Sequence, residues 1–237
     1  MLFVLVWGKR YPTDFSGRAK WHRMTESATT LLPPRMRGLY AITPPDLSTP
    51  DLIAKVRAAL QGGVTMLQYR DKSADSRKRL YEAQALRQLC HDFAAWFVVN
   101  DDIDLAHAVE ADAVHIGRDD RRPEDDTLAF GVSCYNDFHL AEAACRQGAT
   151  YIAFGAVFAS GTKPAAVHAP LNLFQQASTL GLPRVAIGGI TLATAPVVIA
   201  AGADAVAVIS DLFQADDIAE RAQRYQQLFF RAAHESK

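Results

Sequence analysis

Val64-Thr-Met-Leu-Gln-Tyr-Arg-Asp-Lys72 is an apolar run that breaks into a polar cluster. Val64 to Leu67 reads as a buried strand. Gln68, Arg70 and Lys72 follow at i, i+2 and i+4, which in an extended chain puts all three on one face. Two cations and an amide on one face suit a phosphorylated anion, because Arg offers a planar fork and Lys a compact point charge. Taken alone, the cluster reads equally well as a solvated loop past a strand end, since exposed Arg and Lys are common. Repetition gives it weight: the rest of the chain repeats an apolar strand, a polar cluster and a helical segment.

Working outward, apolar runs predict strands at 38–43, 65–70, 96–100, 113–117, 130–134, 151–158, 184–188 and 205–210. Helical periodicity predicts the segments between them. After the first strand, Thr49-Pro50-Asp51 offers an N-cap, a proline at the first helical position and an acid in the first turn. Leu52, Ile53, Val56, Ala59 and Leu60 then share a face, and Gly62-Gly63 stops the helix. Leu80, Ala83, Leu86 and Leu89 predict the face of a helix over 75–92. Further helices are expected after each later strand, the last from about 216 onward. Gln147-Gly-Ala-Thr150 and Ala201-Gly-Ala-Asp204 mark equivalent helix-to-strand turns. Eight βα units in about 200 residues predict an α/β fold, a single (βα)8 TIM barrel over 37–237. The doubly wound open sheet lacks its glycine fingerprint after any strand.

Residues 1–36 lack this regularity and read as an N-terminal extension outside the barrel, mobile, or as a mis-assigned start with Met24 or Met36 as the true one. The apolar opening 1–7 is too short for a signal peptide or a membrane span. A net charge of −1 gives no basic excess, so no nucleic-acid partner is expected and any anion site is local. Cys90, Cys134 and Cys145 show no paired spacing and read as reduced thiols of a cytoplasmic protein. No membrane partner is expected, and a homo-oligomer is compatible with the chain.

In such a barrel the chemistry sits at the C-terminal strand ends. Polar groups gather there: Gln68, Arg70 and Lys72; Asn100-Asp101-Asp102; Gly117-Arg118-Asp119-Asp120; Ser133; Ser160-Gly161-Thr162-Lys163; Gly188-Gly189; and Ser210. Asp101 and Asp120 are hard oxygen ligands on neighbouring strands and suit Mg²⁺, although Asp101 or Asp102 could instead cap the next helix. Gly188-Gly189 and Ser210 follow strands seven and eight, where barrels of this kind often hold a phosphate, or the glycines form only a tight turn. Ser160-Gly-Thr-Lys163 offers hydroxyls and a cation without being a Walker A loop. Two anion sites around a magnesium imply two phosphorylated ligands, one a diphosphate. His115 alternates within strand four and reads as barrel packing.

Gln68-Tyr-Arg-Asp-Lys72, Val99-Asn-Asp-Asp102, Ala111-Asp-Ala-Val-His-Ile-Gly117, Gly131-Val-Ser133, Thr162-Lys163 and Ala186-Ile-Gly-Gly-Ile-Thr191, in that order, closely resemble the thiamine phosphate synthase family. The resemblance implies a transferase of thiamine biosynthesis. It would couple 4-amino-2-methyl-5-(hydroxymethyl)pyrimidine diphosphate to 4-methyl-5-(2-phosphoethyl)thiazole, releasing pyrophosphate. By position it assigns Gln68, Tyr69, Arg70, Asp71, Lys72, Asn100, Ser133 and Lys163 to the pyrimidine diphosphate. It assigns Asp101 and Asp120 to Mg²⁺, and Ser160, Gly161, Thr162, Gly188, Gly189, Ile209 and Ser210 to the thiazole phosphate. Arg70, Lys72, Ser133 and Lys163 would carry the catalysis. Arg118 stands where the family often has Gln, and Ala156 and Ala159 where it often has Pro. The rival readings are a thiazole tautomerase of the same superfamily, which lacks much of the diphosphate and magnesium set, and a catalytically silent phosphate-binding barrel.

Overall fold

The computed structural model describes residues 3–6, 9–12, 36–124, 127–159 and 168–235. The chain divides into two compact units, Met1–Leu31 and Leu32–Lys237. In the first, β1 (Phe3–Val6) and β2 (Lys9–Pro12) pair antiparallel, from Phe3 opposite Pro12 to Val6 opposite Lys9.

The second unit is the expected barrel. Its strands are β3 (Gly38–Ile42), β4 (Met66–Tyr69), β5 (Trp96–Asn100), β6 (Ala113–Ile116), β7 (Ala129–Tyr135), β8 (Tyr151–Phe154), β9 (Arg184–Ile187) and β10 (Ala205–Val208). All are parallel to their neighbours, and β10 closes on β3 with Ala205 opposite Gly38. The connecting helices are α1 (Thr49–Gln61), α2 (Ser76–Asp92), α3 (Ile103–Ala108), α4 (Phe138–Arg146), α5 (Asn172–Gln176), α6 (Ala195–Ala200), α7 (Ser210–Phe213) and α8 (Ile218–Glu235). Strand residues with both faces buried feed two apolar layers. One fills the barrel, with Met36, Tyr40, Met66, Val98, Tyr151 and Val185; the other lies between strands and helices. Met36, assigned from sequence to the extension, is 1% exposed and belongs to the inner layer.

Side-chain carboxylates start α2, α3 and α4: Asp75, Asp102 and Asp137 each accept a first-turn N–H. For α1 the cap is Ser48, not the expected Thr49, whose hydroxyl instead donates to Glu82 at 2.5 Å. Asp112 and Asp204, just before β6 and β10, accept the backbone N–H of Phe97 and Arg184 on the preceding strands and lock the register from below. Leu80, expected on the buried face of α2, is 38% exposed, and Glu82 takes the inward place at 1%. A carboxylate is tolerated there because Tyr69 Oη donates to it at 2.8 Å and Lys78 Nζ lies 3.3 Å away. Strand six is shorter than expected, although Val157 and Phe158 still donate N–H bonds to Ile187 and Gly188 of the β9 edge. The helix expected over 191–201 starts only at Ala195, because Thr191 and Thr194 bond to each other and make a turn first.

Candidate active site

Among the described residues, the polar groups expected at the strand ends share the C-terminal face, and they are graded in depth. At the floor lie Gln68, 3% exposed, and His115, 8% exposed; Ser133 and Asn100 are half-buried above them; Lys72, Asp101 and Asp120 stand exposed at the rim.

The floor is one hydrogen-bonded set. Gln68 Nε2 donates to Tyr40 Oη at 2.8 Å, and Tyr40 Oη lies 2.9 Å from Tyr151 Oη. Tyr151 Oη is 2.9 Å from His115 Nδ1, and His115 Nε2 is 2.9 Å from Ser133 Oγ. Tyr151 and His115 also stack, with ring centroids 5.6 Å apart. Burial pushes the His115 imidazole down to about 4 against an opposing pull from Asp120, so the ring is neutral near pH 7. Sequence reading placed His115 in barrel packing and gave Tyr40 and Tyr151 no part. The signal was Gly131, which lies opposite Tyr151: a Cβ there would sit 2.0 Å from the Tyr151 ring.

At the rim, the backbone aims the carboxylates. Asp101 adopts a left-handed conformation, φ 61°, and donates its N–H to the His115 carbonyl at 2.8 Å. Asp102, not Asp101, caps α3, accepting from Leu105 N–H at 2.9 Å and pairing with Arg79. That leaves Asp101 free to face Asp120, whose Oδ2 accepts the Gly117 N–H at 2.6 Å. The Asp101 carboxyl is raised, first by burial and then by the Asp120 charge, while Asn100 and the charge of Lys72 oppose the rise. Lys72, Asn100, Asp101 and Asp120 are therefore one electrostatic group. Two convergent carboxylates fit a hard divalent cation that completes its shell with water and ligand oxygens. Among the described residues no cluster of three or more His, Cys, Asp or Glu side chains could hold a metal alone.

Arg70 is fixed by its backbone: its N–H donates to Thr43 Oγ1 at 2.8 Å, tying the end of β4 to β3. Tyr69 and Asp71 are placed otherwise than the resemblance implies. Tyr69 is 2% exposed in the outer layer and bonded to Glu82, because alternation turns it away from the barrel axis. Burial raises the Asp71 carboxyl, but Lys78 at 2.6 Å and the Ser73 N–H at 2.7 Å outweigh it and hold the group at about 2. Both residues support the loop rather than line the mouth.

Gly188 and Gly189 have φ of 98° and 64°, and a Cβ on either would strike Ala156 or the Phe158 and Ala159 carbonyls within 2.7 Å. Only glycine lets the β9 edge pass so close to the loop after β8. Ile209 is half-buried against the inner layer and Ser210 is exposed at the start of α7, beside them across the β9–β10 pair. Ser160, Gly161, Thr162 and Lys163 lie outside the described residues. A separate cleft of about 680 Å³, lined by Arg37, Gln61, Thr65, Gln226 and Phe230, opens at the opposite end of the barrel.

Residues 39–212 match the family model for thiamine monophosphate synthase. The chain belongs to the thiamine monophosphate synthase family. Curated relatives agree. The thiamine-phosphate synthase of Chromobacterium violaceum is 51% identical over 198 residues, covering 81% of this chain and 96% of that protein. That of Aromatoleum aromaticum is 49% identical over 202 residues, covering 82% and 97%. Among solved structures, the thiamine phosphate pyrophosphorylase of Pyrococcus furiosus superposes with a TM-score of 0.73 at 32% identity, covering 84% of this chain and 98% of that one. The resemblance read from the motifs is thus borne out, and membership makes the chain a transferase of thiamine biosynthesis on a TIM barrel. Against the pattern of the thiamine monophosphate synthase family, Arg118 is accounted for in place: its guanidinium lies 5.1 Å from the centre of the Tyr135 ring.

Proposed function

We propose that this chain is a thiamine-phosphate synthase joining the aminopyrimidine diphosphate to the thiazole phosphate with release of pyrophosphate. One observation carries the reading. Arg70, Lys72, Asn100 and the Asp101–Asp120 pair are gathered at the mouth of the barrel, over a polar floor that runs from Gln68 to Ser133.

In this reading Gln68 and Ser133 hold the pyrimidine from below, and Asn100, Arg70, Lys72 and Lys163 hold its diphosphate. Ser160, Gly161, Thr162, Gly188, Gly189, Ile209 and Ser210 take the thiazole phosphate. Asp101 and Asp120 would hold Mg²⁺, which when bound would neutralise charge on the diphosphate oxygens. The methylene–oxygen bond of the pyrimidine breaks, and its electron pair leaves with the pyrophosphate. The amino-substituted ring stabilises the resulting cation, and the thiazole nitrogen lone pair closes the new carbon–nitrogen bond. The chain's work is to neutralise the leaving group with Arg70, Lys72 and Lys163 and to hold both partners in line. A neutral His115 sealed into the floor is consistent with chemistry that needs no protein nucleophile or strong base. Three free thiols at Cys90, Cys134 and Cys145 support a cytoplasmic location. No helix among the described residues is long and apolar enough to cross a membrane.

The test is pyrophosphate release with both substrates, with and without Mg²⁺, beside Asp101→Ala. Release that requires the metal and the thiazole phosphate, and that is lost in the variant, is expected. A folded protein that binds both substrates and releases nothing would overturn the proposal.

A further inference from the structure

Gln68 and Ser133 sit on different strands, and an unbroken run of hydrogen bonds joins them through three side chains with no assigned part in the reaction. The links are Gln68 Nε2 to Tyr40 Oη at 2.8 Å, Tyr40 Oη to Tyr151 Oη at 2.9 Å, Tyr151 Oη to His115 Nδ1 at 2.9 Å, and His115 Nε2 to Ser133 Oγ at 2.9 Å. We propose that Tyr40, Tyr151 and His115 are positioning residues for the synthase reaction. They fix the direction of this run, so that Gln68 presents a carbonyl acceptor and Ser133 a hydroxyl donor to the aminopyrimidine edge. The inference rests on the assignment of Gln68 and Ser133 to that substrate.

The direction follows from proton counting. Each phenol has one proton to give. Tyr40 accepts from the Gln68 amide, so its own proton goes to Tyr151. Tyr151 accepts from Tyr40, so its proton goes to His115 Nδ1. A neutral imidazole that accepts at Nδ1 carries its proton on Nε2 and donates it to Ser133 Oγ. The Ser133 proton is then left for the mouth, and Gln68 Oε1 is left as an acceptor. An aminopyrimidine carries a donor amino group next to an acceptor ring nitrogen and meets that pair in the same sense. The reverse run would use up the Gln68 carbonyl and the Ser133 proton and offer the opposite polarity.

Packing alone does not require these oxygens. Barrel interiors are filled by branched apolar side chains, and two phenylalanines would occupy the same space. Room is made for these rings: Gly131 lies opposite both His115 and Tyr151, and Ala207 opposite Tyr40. Burying two hydroxyls, an imidazole and an amide is tolerable only because each is bonded to the next.

The experiment uses Tyr40→Phe and Tyr151→Phe, which keep each ring and remove its oxygen. Pyrophosphate release is measured with each substrate varied in turn. A fall of about tenfold or more in kcat/KM for the pyrimidine diphosphate is expected, with KM for the thiazole phosphate unchanged. A role in packing alone would move both substrates together or neither. The imidazole ¹⁵N shifts of substrate-free wild-type protein give a second reading, and the Nε2–H tautomer of His115 is expected. The Nδ1–H tautomer, or unchanged kinetics in folded variants of an active enzyme, would overturn the proposal. Should either variant fail to fold, the wild-type tautomer decides. An inactive wild type would instead overturn the reaction assignment itself.

Discussion

At the residue scale, two titratable groups, one buried in the floor and one exposed at the rim, make opposite demands on the fold. His115 titrates at about 4 in the fold against 6.5 for a free imidazole. Between those values the unfolded chain binds a proton that the folded chain refuses. Stability therefore falls as pH drops from about 6.5 to about 4, by up to about 3 kcal/mol, with the loss complete below that window. Urea denaturation at pH 7 and pH 4.5 is expected to show this loss in the wild type and a shallower one in His115→Gln. Asp101 is raised, so its ionised form works against the apo fold at neutral pH, with Asp120 as the facing charge. Asp101→Asn removes that repulsion and keeps a residue type tolerant of φ 61°. Thermal melts without divalent cation are expected to rise in the variant, and the Mg²⁺-induced rise of the wild type is expected to disappear along with activity. An unaltered Mg²⁺ response would remove Asp101 from the metal site. Asp101 itself was legible in the sequence as a carboxylate after an apolar strand. The Tyr40–Tyr151–His115 run was not, because it joins strands 111 residues apart and depends on which face each residue takes.

At the element scale, helix–helix and strand–strand approaches are set by single small residues. Gly62, which closes α1, would place a Cβ 2.3 Å from the Ala219 carbonyl and 2.5 Å from Ala222 Cβ on α8. Gly62→Ala must push α1 and α8 apart, and a loss of about 1–3 kcal/mol is expected. The substrate KM values are expected to stay put, since the contact lies at the N-terminal end of the barrel. Gly131→Ala meets the Tyr151 ring instead, so a similar loss of stability there is expected to come with weaker pyrimidine binding. Denaturant melts and kinetics of both variants separate the two outcomes, and equal kinetic damage from Gly62→Ala would break the distinction. Strand order and most helix positions were readable, because strands buried on both faces leave continuous apolar runs and helices between them leave a 3.6-residue stripe. Helix details were less so. Glu82 took the place expected of Leu80 because Tyr69 and Thr49 converge on it from outside α2. Such partners cannot be seen in the helix's own sequence.

At the scale of the whole molecule, counting βα units was enough for the fold, because eight such units have a closed solution that buries every strand edge. The start of the barrel was less legible. Met36 precedes the first strand and follows a run without periodicity, yet its side chain is 1% exposed among Tyr40, Met66 and Tyr151. The match to the family model begins at residue 39, and the Chromobacterium violaceum relative is covered over 96% of its length while only 81% of this chain is used. The match to the family model falls within the second unit, whose inner apolar layer includes Met36. A chain beginning at Met36 is expected to keep pyrophosphate release within about twofold of the full chain. Its thermal midpoint is expected to stay within about 2 °C. Met36→Ala in the full chain is expected to cost about 2–4 kcal/mol, because its side chain is 1% exposed within the inner apolar layer. A truncated chain that folds but loses activity would mean that residues 1–35 contribute to the reaction, and the site would then have to be sought beyond the strand ends.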